Sequence, residues 1–177
     1  MQFIFNNSTP SILPFLLQAT QFIRQEVTLE GVQRELLLNH CKFIITEFCT
    51  NSIKHSGQPE SIFNIYIDGD NLVIEKKDNG APFSIRWKEH KLSFPLPEHI
   101  DTITLMEDDI NRLRMQKLTG NSVHFYTEQN TGNNPAAQFI NEHFGLIIIS
   151  LSSTRFTYTW DEVTRNNIFT ATIHLQA

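Results

Sequence analysis

Cysteine is scarce: the chain has only Cys41 and Cys49, eight residues apart on what reads as one helix. Two helical turns would hold their α-carbons roughly 12 Å apart, too far for a disulfide. Both are therefore expected as buried free thiols, as in a reducing compartment. Basic charge is also short. Fourteen Lys and Arg stand against nineteen Asp and Glu, a formal charge of -5, and no dense Lys/Arg cluster occurs. A nucleic-acid backbone would find no electrostatic footprint here. No apolar run approaches the length that spans a bilayer, and the N-terminus lacks the basic start and small-residue cleavage site of a signal peptide. The expectation is a cytoplasmic protein with neither a membrane nor a nucleic-acid partner. Several chemistries are missing too. No Gly-x-x-x-x-Gly-Lys-Ser/Thr loop is present, which excludes P-loop chemistry on motif grounds. Ser52, Ser56 and Ser84 lack the surroundings of an activated nucleophile. His90, His99, His124, His143 and His174 show no metal-ligand spacing, and the two cysteines complete no zinc pattern.

What is there fits one globular domain of 177 residues, 40% hydrophobic and 19% charged. Fourteen phenylalanines against three tyrosines and two tryptophans imply a core filled by purely apolar rings. Residues 1–6 read as a short strand. Ile12, Phe15, Leu16, Ala19, Phe22 and Ile23 have helical spacing over residues 11–26. A longer helical pattern covers residues 32–55 and stops at Gly57, Gln58 and Pro59. Alternation then predicts a hairpin over residues 61–77, turning at Asp68-Gly69-Asp70-Asn71. From 84 to 144 the rhythm is lost, and a small helical insertion is expected, with a helix over about 103–118 and a mobile polar stretch around 130–134. Periodicity leaves helix and strand open for residues 146–151, with β-branched content leaning to strand. A second hairpin, over 155–160 and 168–175, closes the chain. Strands grouped apart from helices imply an α+β class with helices on one face of a mostly antiparallel sheet.

The second helix carries the chemistry. At about 100° per residue, Glu47, Asn51 and Lys54 fall within roughly a 60° arc. Leu37, Leu38, Cys41, Ile45, Phe48 and Cys49 spread over the adjoining face. One side can pack on a sheet while a carboxylate, an amide and an ammonium project together. An amide oxygen is a hard ligand suited to Mg²⁺. An ammonium neutralises phosphate charge, and a carboxylate can take a proton from an attacking hydroxyl. After the hairpin, Asp78 sits at a strand end with Gly80 two residues on. A buried carboxylate can accept from an exocyclic amine such as adenine's, and glycine beside it lets a flat ring approach the backbone.

In this order and spacing the motifs resemble those of the GHKL ATPase superfamily. The run Glu47-Phe-Cys-Thr-Asn51-Ser-Ile-Lys54-His55 resembles its N-box. Asp78-Asn79-Gly80-Ala81-Pro82-Phe83 resembles its first glycine box, in the Pro-Phe variant typical of the anti-sigma-factor serine kinases. Phe144-Gly145-Leu146 resembles the end of the second box. The resemblance implies the Bergerat fold, a two-layer α/β sandwich forming a single domain over 1–177, with an extended lid at about 84–144. It implies ATP and Mg²⁺ as cofactors, Glu47 as the base and Asn51 as the Mg²⁺ ligand. Lys54 and His55 would lie near the phosphates, and Asp78 would read the adenine amine with Gly80 beneath the ring. Pro82, Gly145 and Leu146 complete the implied binding set, and Gly145 would open a helix, which decides residues 146–151 as helical. The implied activity is transfer of the γ-phosphate to a protein partner, a sigma factor or an anti-anti-sigma-like substrate. A homodimer is also compatible with the resemblance.

Two departures keep rival readings open. His143, with Glu142 beside it, stands where the second box has its first glycine, and the lid is long with few glycines. The rivals are a non-catalytic interaction module with a degenerate nucleotide pocket and the detached ATPase domain of a histidine kinase.

Overall fold

Period-two alternation of large apolar side chains builds most of the protein. The computed structural model describes residues 1–87, 90–107, 109–129 and 144–175. Strand β1 (Gln2–Asn6) leads into helix α1 (Ile12–Glu26) and helix α2 (Gly31–Asn51). A π-helical turn, Ser52–Ser56, finishes α2, and Gly57 ends it in the left-handed conformation at φ 64°. Then come β2 (Glu60–Asp68), β3 (Asn71–Asp78), β4 (Ser84–Trp87), β5 (His90–Ser93), β6 (Thr102–Glu107), β7 (Asn111–Thr119) and β8 (Ser122–Gln129). Helix α3 (Phe144–Ser152) and strands β9 (Arg155–Asp161) and β10 (Asn166–His174) complete the chain.

Eight strands form one sheet in the order β1-β2-β3-β10-β9-β8-β7-β6, every neighbouring pair antiparallel. β4 and β5 pair only with each other. The inner face is read off by alternation: Phe63 and Ile65 on β2, Leu72 and Ile74 on β3, Phe169 and Ala171 on β10, Phe156 and Tyr158 on β9. Phe48 of α2 reaches across them, with ring centroids 6.3 Å from Phe63, 6.0 Å from Phe156 and 6.2 Å from Phe169. Cys41 and Cys49 are buried free thiols in the same layer, and burial pushes each up to about 12. Among the described residues no helix is long and apolar enough to cross a membrane.

The first two helices, the first hairpin, α3 and the closing hairpin stand where the sequence places them. The expected two-layer α/β sandwich, the Bergerat fold with helices covering one face of the sheet, is overturned. The protein is strand-rich, an eight-stranded sheet with a second two-stranded one and three α-helices among the described residues. The cause lies in residues 84–129, where no helix forms among the described residues. Ile103, Met106, Ile110 and Leu113 match helical spacing, yet Ile103 with Leu105 and Leu113 with Met115 alternate, and alternation prevails. The resulting strands β6 to β8 widen the sheet beyond β9. Irregular chain and the β4–β5 hairpin join α3, which packs on β8, in supplying apolar groups over this extension: the Phe83 and Phe125 ring centroids lie 6.4 Å apart. Ile85, Phe94, Leu96 and Ile100 join the same core cluster as α2, and partly buried Phe83 packs against it.

If the extension shares that core, its large side chains carry global stability. Phe125→Ala should cost about 3–5 kcal/mol in urea unfolding, as expected for Phe48→Ala. An unchanged global midpoint for Phe125→Ala would show that β6 to β8 fold as an appendage.

Candidate functional site

The end of α2 and the π-helical turn that finishes it hold four of the nine residues that the motifs single out, Glu47, Asn51, Lys54 and His55. Glu47 and Asn51 stand one turn apart, both partly buried, and face the start of α3. A β-carbon built on Gly145 would lie 2.5 Å from Glu47 Oε2 and 3.8 Å from Asn51 Nδ2. A side chain at this position would press on the Glu47 carboxylate, the flexible end of its chain, which would have to shift. Buried Leu146, next in the chain, anchors α3 in the core. Burial raises the Glu47 pKa above its ordinary 4.5, and the nearby Lys54 ammonium offsets part of that rise. Lys54 and His55 are exposed on the π-helical turn, a backbone irregularity that occurs often at functional sites. Burial lowers the His55 pKa, and the charges of Lys54 and Lys76 lower it further.

The loop after β3 closes on the same helix end. A β-carbon on Gly80 would sit 2.5 Å from the Ser56 carbonyl oxygen, a backbone atom with little freedom to move. Ser56 is itself pinned: its hydroxyl donates to Ser52 O at 2.7 Å and accepts from Asn7 Nδ2 at 2.9 Å. Pro82 is exposed at the loop's surface. Glu47 and Ser56 are nine residues apart, roughly 13 Å along the helix. Asp78 lies at the end of β3, pointing inward. Its Oδ1 accepts from Gly80 N at 3.2 Å and from Asn167 Nδ2 at 2.9 Å. Its Oδ2 takes the Lys76 ammonium at 2.6 Å, with both side chains only 3% exposed. Lys76 Nζ also lies 4.8 Å from the Phe169 ring centroid. Desolvation lowers the Lys76 pKa, and Asp78 opposes that shift.

Asn167 locks the arrangement from the neighbouring strand, where it stands directly opposite Asp78. Its amide also donates to Ala81 O at 3.0 Å, and its Oδ1 accepts from Tyr158 OH at 2.8 Å and Phe83 N at 3.0 Å. Phe83 N reaches the Tyr158 hydroxyl as well, at 3.0 Å. Burial raises the Tyr158 pKa, so the phenol stays neutral.

The structure thus groups Glu47, Asn51, Gly145 and Leu146 at the α2–α3 junction, and Asp78 and Gly80 against Ser56 at the end of the same helix. His143 and Glu142 lie outside the described residues. Lys76 was not foreseen, although its signal was available: on β3 it follows Leu72 and Ile74 in strict alternation, which turns it inward beside Asp78. Asn167 gave no such signal, because its role follows from sheet register alone. Among the described residues no three His, Cys, Asp or Glu side chains converge as a metal site. Asn51 and Glu47 each carry a side-chain oxygen of the hard kind that Mg²⁺ takes while keeping most of its waters. No model of a known protein family matches the chain, and a search of curated proteins found no match.

Two outcomes test this geometry. Lys76→Met should destabilise the protein by about 3–5 kcal/mol in chemical unfolding, because it strands a buried carboxylate. The Lys76→Met/Asp78→Asn double variant should recover much of that loss. Glu47 fixes a pH dependence: with its folded pKa above 4.5, its contribution to stability is full below that value and is lost as pH rises through the folded pKa. Glu47→Gln should flatten that decline in unfolding curves collected across the range.

Proposed function

We propose that the chain is a cytoplasmic, ATP-binding regulatory protein that transfers the γ-phosphate of ATP to a hydroxyl of a partner protein. One observation carries the reading. A single helix end holds a carboxylate–amide pair against the start of α3 and, roughly 13 Å away, a glycine loop against its last carbonyl. That span suits an extended nucleoside triphosphate, with its phosphates toward Glu47 and Asn51 and its base toward the 78–83 loop. The partner is a small regulatory protein of the sigma-factor or anti-anti-sigma kind.

The residues divide the work. Asn51 would hold Mg²⁺ through its amide oxygen; the bound ion supplies charge neutralisation on the phosphates. Lys54 and His55, exposed on the π-helical turn, offer donors to the phosphate oxygens. Glu47 accepts the proton of the partner's hydroxyl, and its raised pKa makes it a stronger base than an ordinary surface carboxylate. The hydroxyl oxygen bonds to the γ-phosphorus as the bond to the bridging oxygen breaks, and ADP leaves.

A second reading, a non-catalytic interaction module, is favoured by the Lys76–Asp78 pair, which leaves Asp78 with a protein partner already in place. Thermal unfolding separates the two. A ligand that binds the native state must raise the melting temperature by mass action. Millimolar Mg-ATP should raise it for the wild type and much less for Asn51→Ala. No shift for the wild type would favour the interaction module.

A further inference from the structure

Asp78 has little left to offer a ligand. One oxygen already accepts two N–H groups, from Gly80 and from Asn167. The other is met at 2.6 Å by an ammonium. A carboxylate recognises an exocyclic base amine by accepting its proton, and here a protein amine fills that role. The two side chains are each 3% exposed, so a base cannot reach the carboxylate edge-on. Neither partner is free to swing away. Lys76 is held over the Phe169 ring, and Asp78 is held by Asn167, which Tyr158 and Phe83 secure in turn. An incoming amine would also approach a fixed positive charge, and two N–H donors facing each other repel.

We infer that Lys76 is a specificity-determining residue that silences base reading at this site, so that the ligand class is nucleoside 5′-triphosphates irrespective of base. The inference rests on the nucleotide-binding reading above and narrows how it works. Affinity then comes from the Glu47–Asn51–Lys54 end, where the groups are partly or fully exposed to an entering phosphate chain. The 78–83 loop then offers a base no selective hydrogen bond from Asp78. Lys76 does this by position alone, two residues before Asp78 on one strand face.

Calorimetry on the full chain with Mg²⁺ and, in turn, ATP, GTP, CTP and tripolyphosphate decides the point. The three nucleotides should bind within about fivefold of one another, since a selective hydrogen bond to a charged group alone would separate them by tenfold or more. A preference of fivefold or more for one base overturns the inference and leaves nucleotide binding standing. Failure of every triphosphate to bind sinks the nucleotide reading and the inference together. Lys76→Ala, which removes both the ammonium and the side chain beside the Asp78 carboxylate, checked for native near-UV circular dichroism, should acquire an ATP preference of about tenfold as Asp78 becomes free and reachable for the adenine amine. A folded variant that still ignores the base would overturn the assignment to Lys76. Should that variant fail to fold, the wild-type series decides alone.

Discussion

A buried ion pair between Lys76 and Asp78 is the constraint on which the site depends. Two charges taken out of water are tolerable only if their remaining hydrogen-bonding capacity is met. Asp78 meets it through Gly80 and Asn167, and Asn167 in turn binds Ala81, Phe83 and Tyr158. Satisfying one carboxylate therefore fixes the course of the whole 78–83 loop and ties it to β9 and β10. The loop's second fixed point is steric: Gly80 rests against the Ser56 carbonyl with no room for a side chain. Polar satisfaction on one side and close packing on the other leave the loop a single path.

The same logic explains why α2 is so deeply embedded. Its buried residues are Leu37, Leu38, Cys41, Ile44, Ile45, Phe48 and Cys49, too many for one narrow stripe. The helix packs against α1, α3 and the sheet on one side, while Val32, Leu36, Asn39 and Phe43 line a side left exposed. Polar groups on such a helix are costly on its inward side and are tolerated on its outward side or near an end. Glu47 and Asn51 sit there, beside Gly145, and Lys54 and His55 follow on the π-helical turn. Rigid packing behind and exposure ahead are what a site needs to hold groups in fixed relation.

Much of this was legible in the sequence, and the failures have physical causes. The first hairpin was plain because Phe63, Ile65, Leu72 and Ile74 alternate around a turn in which Gly69 adopts φ 56°. The end of α2 was marked by Gly57, which takes the left-handed conformation that stops helices. The Glu47–Asn51 pairing followed from helical spacing alone. Residues 103–118 were misread because Ile103, Met106, Ile110 and Leu113 satisfy a helical period, while the Asp108-Asp109 run between β6 and β7 has no Gly or Pro to break it. The deciding factor is nonlocal: β7 pairs on both edges, with β6 and β8, and that pairing cannot be seen in a window of sequence. Lys76 was missed for a related reason. A lysine in a strand is ordinarily assigned to the solvent face, and only its place in the alternation, together with the acid two residues on, marks it as buried.

Charge is distributed unevenly across the site, and this locates its chemistry. At the loop end the Lys76 and Asp78 charges cancel within 2.6 Å, and the neutral pair is sealed from water. A group so satisfied can neither exchange protons readily nor attract a charged ligand over distance. At the α2–α3 junction, Glu47 is partly buried with a raised pKa, and exposed Lys54 acts on it through the field without an ion pair closing the gap. Groups in that condition respond to an arriving anion or proton donor, because their own electrostatics are unfinished. The loop end is therefore the structural wall of the site. On the proposed reading, the reactive work falls to the last turns of α2.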